Sequence, residues 1–428
     1  MPDSTSTKPL SELATLRTER IVGAKDGSKP YVGLEHIASG EPFLLGTARA
    51  ESSISTNSAF YRGDVLFGKL RPNLRKSLHA QFDGYCSTDI LVLQPNAGFD
   101  PGFVARVFQR EEVFNEAVRM AEGTKMPRTS WARLRQYEVF VPEADHECTT
   151  IAAILDAADE AIAKTEALIA KLRAIEQGLL YDLLTRGLDD NGELRDPEKH
   201  PEQFKETPLG RIPKAWAEEP LGEICAKHGG SIQTGPFGSQ LHAEDYVEDG
   251  TPIVTVEHLG DGIILHENLP RVSPKDRSRL SRYNLQEGDL VFSRVGAIDR
   301  CARVGVAEDG WLFSGRCLRV RPGEGGMNSF YLAYQLNGFR CRRWILAHAV
   351  GSTMQCLNTT ILGRLPVFEP SVEEQELIGR VLLEHDTLLR EEVRCLSKLK
   401  AIKKGLMQDL LTGRVRVPAE KIATLATE

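Results

Sequence analysis

The chain has 428 residues, of which 41% are hydrophobic and 26% are charged, and its formal net charge is −7. This composition is typical of a soluble globular protein with two or three domains. No apolar run approaches the ~20 residues of a membrane-spanning helix, and the polar first residues do not resemble a signal peptide, so we expect a cytoplasmic protein with no membrane partner. The eight cysteines form no CxxC pair, which argues against a zinc site and a disulfide framework.

The sequence repeats itself at a spacing of roughly 227 residues. The most faithful copies are residues 171–185 and 398–412, which share the pattern Lys-Leu-x-Ala-Ile-x-x-Gly-Leu-x-x-Asp-Leu-Leu-Thr. A repeat of this length indicates a duplicated domain rather than a solenoid unit, and duplication suggests one task performed at two places.

In the first copy, a turn and a short buried strand are predicted at residues 63–67, and a second strand at 90–95. Asp100-Pro101 is a capping signal that predicts the start of a helix. A strand at 139–142 closes the globular part.

The second copy repeats this order at residues 288–292, at 317–322, after Asn328 and at 367–370. It carries about eleven additional residues, which we place around a glycine-rich loop at 229–239. The first copy has no equivalent of that loop.

A long helix is predicted after each closing strand, with apolar residues at heptad positions a and d for about five heptads. These residues are Ile151, Ile154, Leu168, Leu172, Ile175 and Leu179 in the first helix, and Ile378, Val381, Leu388, Leu399, Ile402 and Leu406 in the second. We expect the two helices to pair, antiparallel, through these rows. A third row, Leu155, Ile162 and Ile169 with Leu382, Leu389 and Leu396, is more than a two-stranded coiled coil needs and is predicted to pack against globular domains or partners.

The predicted fold class is α+β, with two similar mixed α/β domains separated by two long antiparallel coiled-coil helices. The predicted boundaries are a first domain at 1–145, a helix at 146–188, a linker at 189–217, a second domain at 218–370, a helix at 371–415 and a tail at 416–428.

Several catalytic motifs fail on inspection. Residues 63–69 fit most of a phosphate-binding loop, but Leu70 stands where Ser or Thr is required to hold magnesium, so a turn and strand are favoured. The pairs Glu35-His36 and Glu257-His258 could form an acid/base unit, but a packing or hydrogen-bonding role is favoured. No glutamate has lysine two positions on, and no methyltransferase Asn/Asp-Pro-Pro-aromatic tetrapeptide or nucleophile elbow occurs. We predict no catalytic residue and no metal ligand.

A set of short motifs, weak singly but specific in this order, carries a family resemblance. They are Thr-Pro-Leu-Gly-Arg-Ile-Pro-Lys-Ala-Trp at 207–216, Gly-Pro-Phe-Gly-Ser at 235–239, Gly-Ser-Thr at 351–353, Val-Phe-Glu-Pro at 367–370, and the helix endings at 175–187 and 402–413. Over nearly its whole length the chain resembles the DNA-specificity subunit of a type I restriction–modification system.

The resemblance implies that each globular copy is a target-recognition domain for one half of a split, asymmetric sequence in double-stranded DNA. It implies that the helices set the spacing between the half-sites and dock two modification subunits, which carry S-adenosylmethionine and methylate adenine. A separate motor-nuclease subunit would cut unmodified DNA. The chain itself would bind no cofactor.

Local basic clusters, rather than the acidic total, are the candidate DNA contacts. Residues 65–82 contain no acid, and residues 271–321 contain eleven bases against six acids. The candidates are Lys69, Arg71, Arg75, Lys76, Lys125 and Arg128 in the first copy, and Arg294, Arg300, Arg303, Ser352 and Thr353 in the second. Each cluster could instead be a solvated loop.

Two other functional classes remain open from the sequence. The chain could be a nuclease or methyltransferase whose site is not recognised, and methyl transfer to DNA without another subunit would reveal that. It could also be a coiled-coil adaptor that binds only protein, which salt-dependent, sequence-preferring DNA binding would exclude.

Overall fold

A computed structural model describes residues 7–22, 29–49, 56–236, 240–351 and 355–417. Contacts divide the chain into unit 1, residues 1–167 with 393–428, and unit 2, residues 168–392. Each unit contains one globular copy and half of both long helices. The domain boundaries predicted from the sequence keep each long helix whole, and those boundaries stay predictions.

The strands of unit 1 are short and lie almost entirely in the globular part. They are β1 Thr7–Pro9, β2 Ala14–Leu16, β3 Arg20–Val22, β4 Pro30–Val32, β5 Ala48–Arg49, β6 Thr56–Phe60, β7 Val65–Gly68, β8 Ser77–His79, β9 Gly84–Ser87, β10 Ile90–Pro95 and β11 Glu138–Phe140. The helices that begin in this unit are α1 Leu10–Leu13, α2 Pro101–Val107, α3 Glu111–Arg119, α4 Trp131–Leu134 and α5 Asp145–Thr185.

Two sheets and a strand pair organise unit 1. The sheet orders are β2-β10-β7-β8 and β3-β6-β9-β4-β5, and β1 pairs with β11. Asp100 caps α2, as predicted, by accepting a hydrogen bond from the Phe103 backbone N–H at 2.8 Å. One core packs β7 and β10 against α2, α3 and the start of α5, and Leu410 and Leu411 from the far end of the chain belong to it.

Unit 2 repeats this organisation. Its strands are β12 Phe204–Lys205, β13 Ile212–Pro213, β14 Ala217–Pro220, β15 Gly229–Thr234, β16 Tyr246–Val247, β17 Thr251–Val254, β18 Arg271–Val272, β19 Leu290–Ser293, β20 Cys301–Arg303, β21 Leu312–Phe313, β22 Cys317–Gly323 and β23 Pro366–Glu369. Its helices are α6 Leu221–Lys227, α7 Pro274–Arg279, α8 Ser329–Asn337, α9 Phe339–His348, α10 Thr359–Gly363 and α11 Val372–Leu410.

The sheets confirm that the two globular parts are copies. The order β15-β22-β19-β20 in unit 2 matches β2-β10-β7-β8 in unit 1, and the pair β14-β23 matches β1-β11. A parallel pairing also recurs, between β4 and β9 in unit 1 and between β17 and β21 in unit 2. The chain therefore has the predicted fold class, two similar mixed α/β parts with two long helices.

The glycine-rich stretch 229–239 is not the loop that the sequence predicts. Residues Gly229–Thr234 form β15, which pairs with β22. A Cβ on Gly230 would lie 2.1 Å from the Arg321 carbonyl oxygen, so the missing side chain allows a close approach between strands. Residues 237–239 lie outside the described residues.

The stretch 189–217 packs on unit 2. Ile212 and Trp216 are buried in the unit 2 core with Tyr331. The strands β12 and β13 pair antiparallel within it. These buried side chains explain how a polar, proline-rich segment acquires a fixed structure.

In unit 1, the first half of α5 runs antiparallel to the second half of α11. Asp159 forms an ion pair with Lys403, and Glu166 Oε1 lies 2.7 Å from Lys400 Nζ. Later residues of α5 thus meet earlier residues of α11, as the sequence predicts.

The other halves of the helices run antiparallel in unit 2. The Leu188 backbone N–H, just after α5, donates to Glu374 Oε1 in the first turn of α11 at 2.8 Å. Further back along α5, Glu176 is close enough to Asp386 for the two carboxylates to influence each other's charge.

The predicted pairing through the a and d rows needs correction. The third row is buried at Leu155, Ile162, Ile169 and Leu382, and Leu155 and Leu382 belong to the globular cores, as predicted. Leu389 and Leu396 are half-buried. Of the predicted pairing residues, the buried ones are Ile151, Leu172 and Ile378, the half-buried ones are Ile154, Leu179, Val381, Leu399 and Leu406, and the exposed ones are Leu168, Ile175, Leu388 and Ile402. A straight helix drifts about 20° per heptad relative to a seven-residue repeat, so one heptad row cannot remain at one interface for five heptads.

No described helix is long and apolar enough to cross a membrane.

Candidate functional site

Two basic clusters that are far apart in the sequence of unit 1 meet in the structure. Leu70 forms an antiparallel bridge with Arg128, and the Arg71 backbone N–H donates to the Pro127 carbonyl oxygen at 2.7 Å. The Thr129 N–H in turn donates to the Lys69 carbonyl oxygen at 3.0 Å. These bonds tie the loop after β7 to the loop before α4 and define a single surface, which we call the basic loop pair of unit 1 (residues 69–76 and 122–129).

The backbone of this surface is strained at two arginines. Arg71 and Arg75 flank a single 3₁₀ turn, Pro72–Leu74, and both have φ of 50°. The left-handed region costs an L-residue with a Cβ roughly 1–2 kcal/mol. Such outliers concentrate at functional sites, because the surrounding structure must hold them in place.

Three of the cations have partners within unit 1. Arg128 donates to both oxygens of Asp89, at 2.9 and 3.2 Å, and this hydrogen bonding holds the pKa of Asp89 below its ordinary value. Arg75 Nη2 lies 2.9 Å from Glu111 Oε1. Lys76 Nζ donates to the Leu34 carbonyl oxygen at 2.6 Å and so helps to hold the loop, and its role in DNA contact stays a prediction.

The other three cations are Lys69, Arg71 and Lys125. Within the described part of the chain, their side chains have no hydrogen-bond or ion-pair partner. Arg71 and Lys125 are exposed, and Lys69 is half-buried near Asp89. They are the cations of the basic loop pair best placed to meet a polyanion.

Unit 2 presents the corresponding surface. Val295 bridges Cys356 as Leu70 bridges Arg128, and the Leu357 N–H donates to the Arg294 carbonyl oxygen at 2.8 Å. Arg294 therefore matches Lys69, and Gly296 matches Arg71. Ser352 and Thr353, predicted to contact phosphate, lie outside the described residues.

The Arg303 side chain packs within unit 2, and its role in DNA binding stays a prediction. Its guanidinium lies 3.7 Å from the centroid of the Phe330 ring, and its Nε donates to Ser329 Oγ at 2.9 Å. The side chain is only 14% exposed because β20 directs it onto α8. Arg300, by contrast, is exposed at the end of the loop that begins with Arg294.

The two Glu-His pairs have the structural role favoured from the sequence. His36 Nδ1 accepts a hydrogen bond from the Gly33 backbone N–H at 2.9 Å, and His258 Nδ1 accepts one from the Thr255 backbone N–H at 3.3 Å. Each histidine thereby closes its own 3₁₀ turn. Among the residues that the structure describes, no group of three or more His, Cys, Asp or Glu side chains could hold a metal ion.

Sequence reasoning missed a pair of buried carboxylates at the start of the long helices. Glu147 accepts a bidentate hydrogen bond from Arg416, at 2.9 and 2.8 Å, and a third from the Val417 N–H at 3.1 Å. Glu374 accepts likewise from Arg195, at 2.6 and 3.1 Å, and from the Leu188 N–H. The sequence contains a signal for this pair, because Glu147 and Glu374 occupy equivalent positions of the repeat.

The long helices expose apolar side chains at matching positions. Ile175 is 51% exposed in α5, and its repeat counterpart Ile402 is 57% exposed in α11. Leu168 and Leu388 are also exposed. Large apolar side chains repeated on a surface are typical of sites that a partner covers.

Part of the chain matches a family model, and several known proteins are similar to it. Residues 213–400 match the family model described as the type I restriction modification DNA specificity domain. Over 220 residues the chain is 28% identical to a Methanocaldococcus jannaschii protein assigned as the type I restriction enzyme MjaX specificity subunit, covering 50% of this chain and 49% of that relative. The chain thus matches about half the length of this curated relative.

A longer match is to the type I restriction enzyme MjaVIII specificity subunit of the same organism. It is 21% identical over 337 residues, which are 77% of this chain and 74% of the relative. Among solved structures, the type I restriction-modification S subunit from M. genitalium has a TM-score of 0.62 at 15% identity, covering 95% of this chain and 96% of that one. A chain from a type I R-M complex has a TM-score of 0.53 at 19% identity, covering 97% and 99%. At these identities the solved structures show the fold.

Proposed function

We propose that this chain, which is similar to type I restriction–modification DNA specificity subunits, recognises a split, asymmetric sequence in double-stranded DNA, with one globular part for each half. The observation that supports this most is the recurrence of one tied loop pair in both units with different side chains. Lys69 and Arg71 in unit 1 correspond to Arg294 and Gly296 in unit 2. A common backbone with different side chains suits two readers of different sequences.

The proposal includes two methyltransferase subunits as partners, docked on the long helices. Ile175 and Ile402 support it, because they offer the same exposed side chain at the same position of the repeat. Those subunits carry S-adenosylmethionine and methylate adenine, and a motor-nuclease subunit cuts unmodified sites. The chain itself is non-catalytic, and it holds no metal or cofactor.

Replacement of one globular part tests DNA recognition. Residues 218–370 are exchanged for the corresponding part of another specificity subunit, and methylated adenines are mapped in the genome of cells that contain either chain. We expect one half of the methylated sequence to change and the other half to stay. A change in both halves, or in neither, contradicts one reader per half-site.

Catalytic independence has a direct assay. The purified full-length chain is mixed with DNA from an unmethylated host and labelled S-adenosylmethionine, alone and after addition of the subunits that co-purify with it. Label should enter DNA only in the second mixture. If the chain alone transfers the methyl group, it is an enzyme. If it binds its partner subunits but has no affinity for DNA, it is a protein adaptor.

Partner docking is tested by the double variant I175E/I402E. A charged side chain in a covered apolar contact is strongly destabilising, so co-purification of the methyltransferase should fall at least about tenfold. V393E is the matched control, since Val393 is exposed on α11 and lies about two and a half helical turns from Ile402, on the opposite face of the helix. Equal retention of the partner by both variants would place docking elsewhere.

A further inference from the structure

Arg71 occupies a backbone position for which glycine is better suited. Its φ is 50° and its ψ is 62°, and Pro72, which follows, disfavours helical conformations in the residue before it. Gly296, at the matching position of unit 2, has φ of 78°. The copies therefore share the left-handed bend, but only unit 2 has the residue that adopts it without a Cβ penalty.

Two backbone contacts fix this equivalence. The Lys69 N–H donates to the Asp89 carbonyl oxygen at 3.0 Å, and the Arg294 N–H donates to that of Arg316 at 2.8 Å. One residue further on, Leu70 and Val295 form the matching bridges to the second loop. Arg71 and Gly296 are the next residues in each copy.

The Arg71 side chain does nothing within its own unit that would compensate for the strain. It is exposed, and no described residue accepts a hydrogen bond from its guanidinium. Arg75 provides the contrast, because it is equally left-handed but forms an ion pair with Glu111 at 2.9 Å. An arginine that is strained and has no partner in the described chain indicates that its partner is a ligand.

We propose that Arg71 is a specificity-determining residue of unit 1 that reads guanine, by donating two hydrogen bonds to N7 and O6 in the major groove. This inference rests on the proposed function and deepens it. The planar guanidinium fork matches the two acceptors of guanine, and lysine lacks this fixed fork because its ammonium is a compact point charge on a flexible stem. The backbone is held for this purpose, because the Arg71 N–H is tied to Pro127 at 2.7 Å and the left-handed bend sets the direction of the side chain.

The neighbouring cations then have a different task. Lys125 is exposed on the adjoining loop and Lys69 is half-buried beside it, and both offer point charges suited to phosphate oxygens. Arg128 is held by Asp89 and maintains the shape of the surface. Arg71 alone should therefore change which bases are preferred.

The test uses the full-length chain, purified with the subunits that accompany it, and a pool of randomised double-stranded DNA from which bound sequences are selected and counted. The variants are R71G, R71K and K125A. For R71G and R71K, discrimination at one G·C position of one half-site should fall roughly 5-fold to 100-fold, with the other half-site unchanged. K125A should weaken binding to all sequences alike and reduce its salt dependence.

R71G should also raise the melting temperature of the chain by about 1–3 °C, because it removes the left-handed penalty. The matched variant is G296A, which introduces that penalty in unit 2 and should lower the melting temperature. A Cβ at Gly296 meets no described atom within 4 Å, so backbone strain is the only change. A more stable protein that discriminates less well is a result that a purely structural arginine cannot produce.

The outcomes separate the inference from the function on which it rests. If the unaltered complex selects no sequence, DNA recognition itself fails. If it selects a split sequence and R71G and R71K select the same sequence with the same ratios, recognition stands and Arg71 does not read a base. Uniform weakening by R71G, with preferences intact, would likewise overturn the inference by making Arg71 a phosphate contact. Should R71G not fold, R71K decides, because it keeps the charge and loses only the fork.

Discussion

Glu147 in unit 1 and Glu374 in unit 2 each accept three hydrogen bonds from donors of the same kinds. Each carboxylate receives an arginine fork and one backbone N–H, and each is buried, with its side chain 5% and 9% exposed. Hydrogen bonds to a buried carboxylate contribute more to the free energy of unfolding than surface ion pairs do, because water cannot solvate the buried charge when a donor is lost. These residues join the beginning of one long helix to the chain that follows the other.

Loss of the donor should therefore cost more than loss of the acceptor. R416A leaves the Glu147 carboxylate buried with a single donor, and we expect it to destabilise unit 1 by about 1–3 kcal/mol. E147Q keeps one acceptor oxygen for Val417 and should cost less. Urea unfolding of the two variants measures the order, and an equal or reversed order would show that Glu147 finds other donors.

The same pair has a definite pH dependence. Hydrogen bonding from Arg416, together with that from Val417, lowers the pKa of Glu147 from its ordinary value. A lowered pKa means that the contribution to stability is complete above the unfolded pKa, about 4.3, and is lost as the pH falls through the folded pKa. Thermal melts between pH 3 and 7 should converge for wild type and E147Q at the acid end, and a constant difference would contradict the linkage.

At the scale of elements, the two helix pairs use different charges at one position of the repeat. In unit 1, Asp159 is paired with both Lys403 and Arg106. In unit 2, its counterpart Asp386 pairs with Arg390, but Glu176 takes the place of Lys403. Burial, and then the negative charge of Asp386, raise the pKa of Glu176.

E176K should therefore stabilise unit 2 at neutral pH, by up to about 1 kcal/mol. For an acid with a raised pKa, the cost is absent below the unfolded pKa and is complete above the folded pKa, so it grows as the pH rises from about 4. Hydrogen exchange of residues 372–392 at pH 4 and pH 7 measures this, with E176Q as the uncharged control. A benefit that is equal at both pH values would mean that repulsion is not the cause.

Much of the fold was predictable at this scale because its signals are local. The predicted strand at 90–95 is β10, Ile90–Pro95, and the turn before β7 depends on Gly63, whose φ of 92° favours glycine. The apolar repeat predicted helices that begin within a residue of Asp145 and Val372. Local pattern does not say which helix face the globular core covers, and for that reason it did not predict that Leu168, Ile175, Leu388 and Ile402 of the pairing rows are exposed.

The candidate surface was only partly predictable. The basic composition of residues 65–82 pointed to Lys69 and Arg71, but their junction with Arg128 depends on a bridge between loops more than fifty residues apart. Nothing in the letters Arg-Pro-Asn signals a left-handed arginine. The contact between Arg303 and the Phe330 ring also could not be predicted from the sequence, because Phe330 belongs to another element.

At the scale of the whole molecule, unit 2 is continuous in sequence and unit 1 is not. Residues 393–428 belong to unit 1, and Leu411, which is fully buried, lies in its core with Leu10 and Phe103. Its repeat counterpart Leu184 lies in the core of unit 2. The core of unit 1 is therefore built from two separate stretches of the sequence, whereas the core of unit 2 is built from one continuous stretch.

The matched variants L411A and L184A test this division. Each removes a buried leucine and should cost about 2–4 kcal/mol. L411A should speed hydrogen exchange in residues 7–141, although the substitution lies near the other end of the chain, and L184A should do so in residues 212–368. Exchange that rises in the unit nearer in sequence would contradict the division.

The division of unit 1 into two separate stretches of sequence has a consequence for synthesis. The ribosome synthesises the globular part of unit 1 well before the buried leucines that complete its core, Leu410 and Leu411. The second part can close as soon as its own residues and the first half of α11 have emerged. Nascent chains are ordinarily expected to fold progressively from the N-terminal side, whereas the core of unit 1 is complete only after Leu410 and Leu411 have been synthesised. Until then the apolar residues that Leu410 and Leu411 cover are exposed in the nascent chain, and we expect a chaperone to bind there.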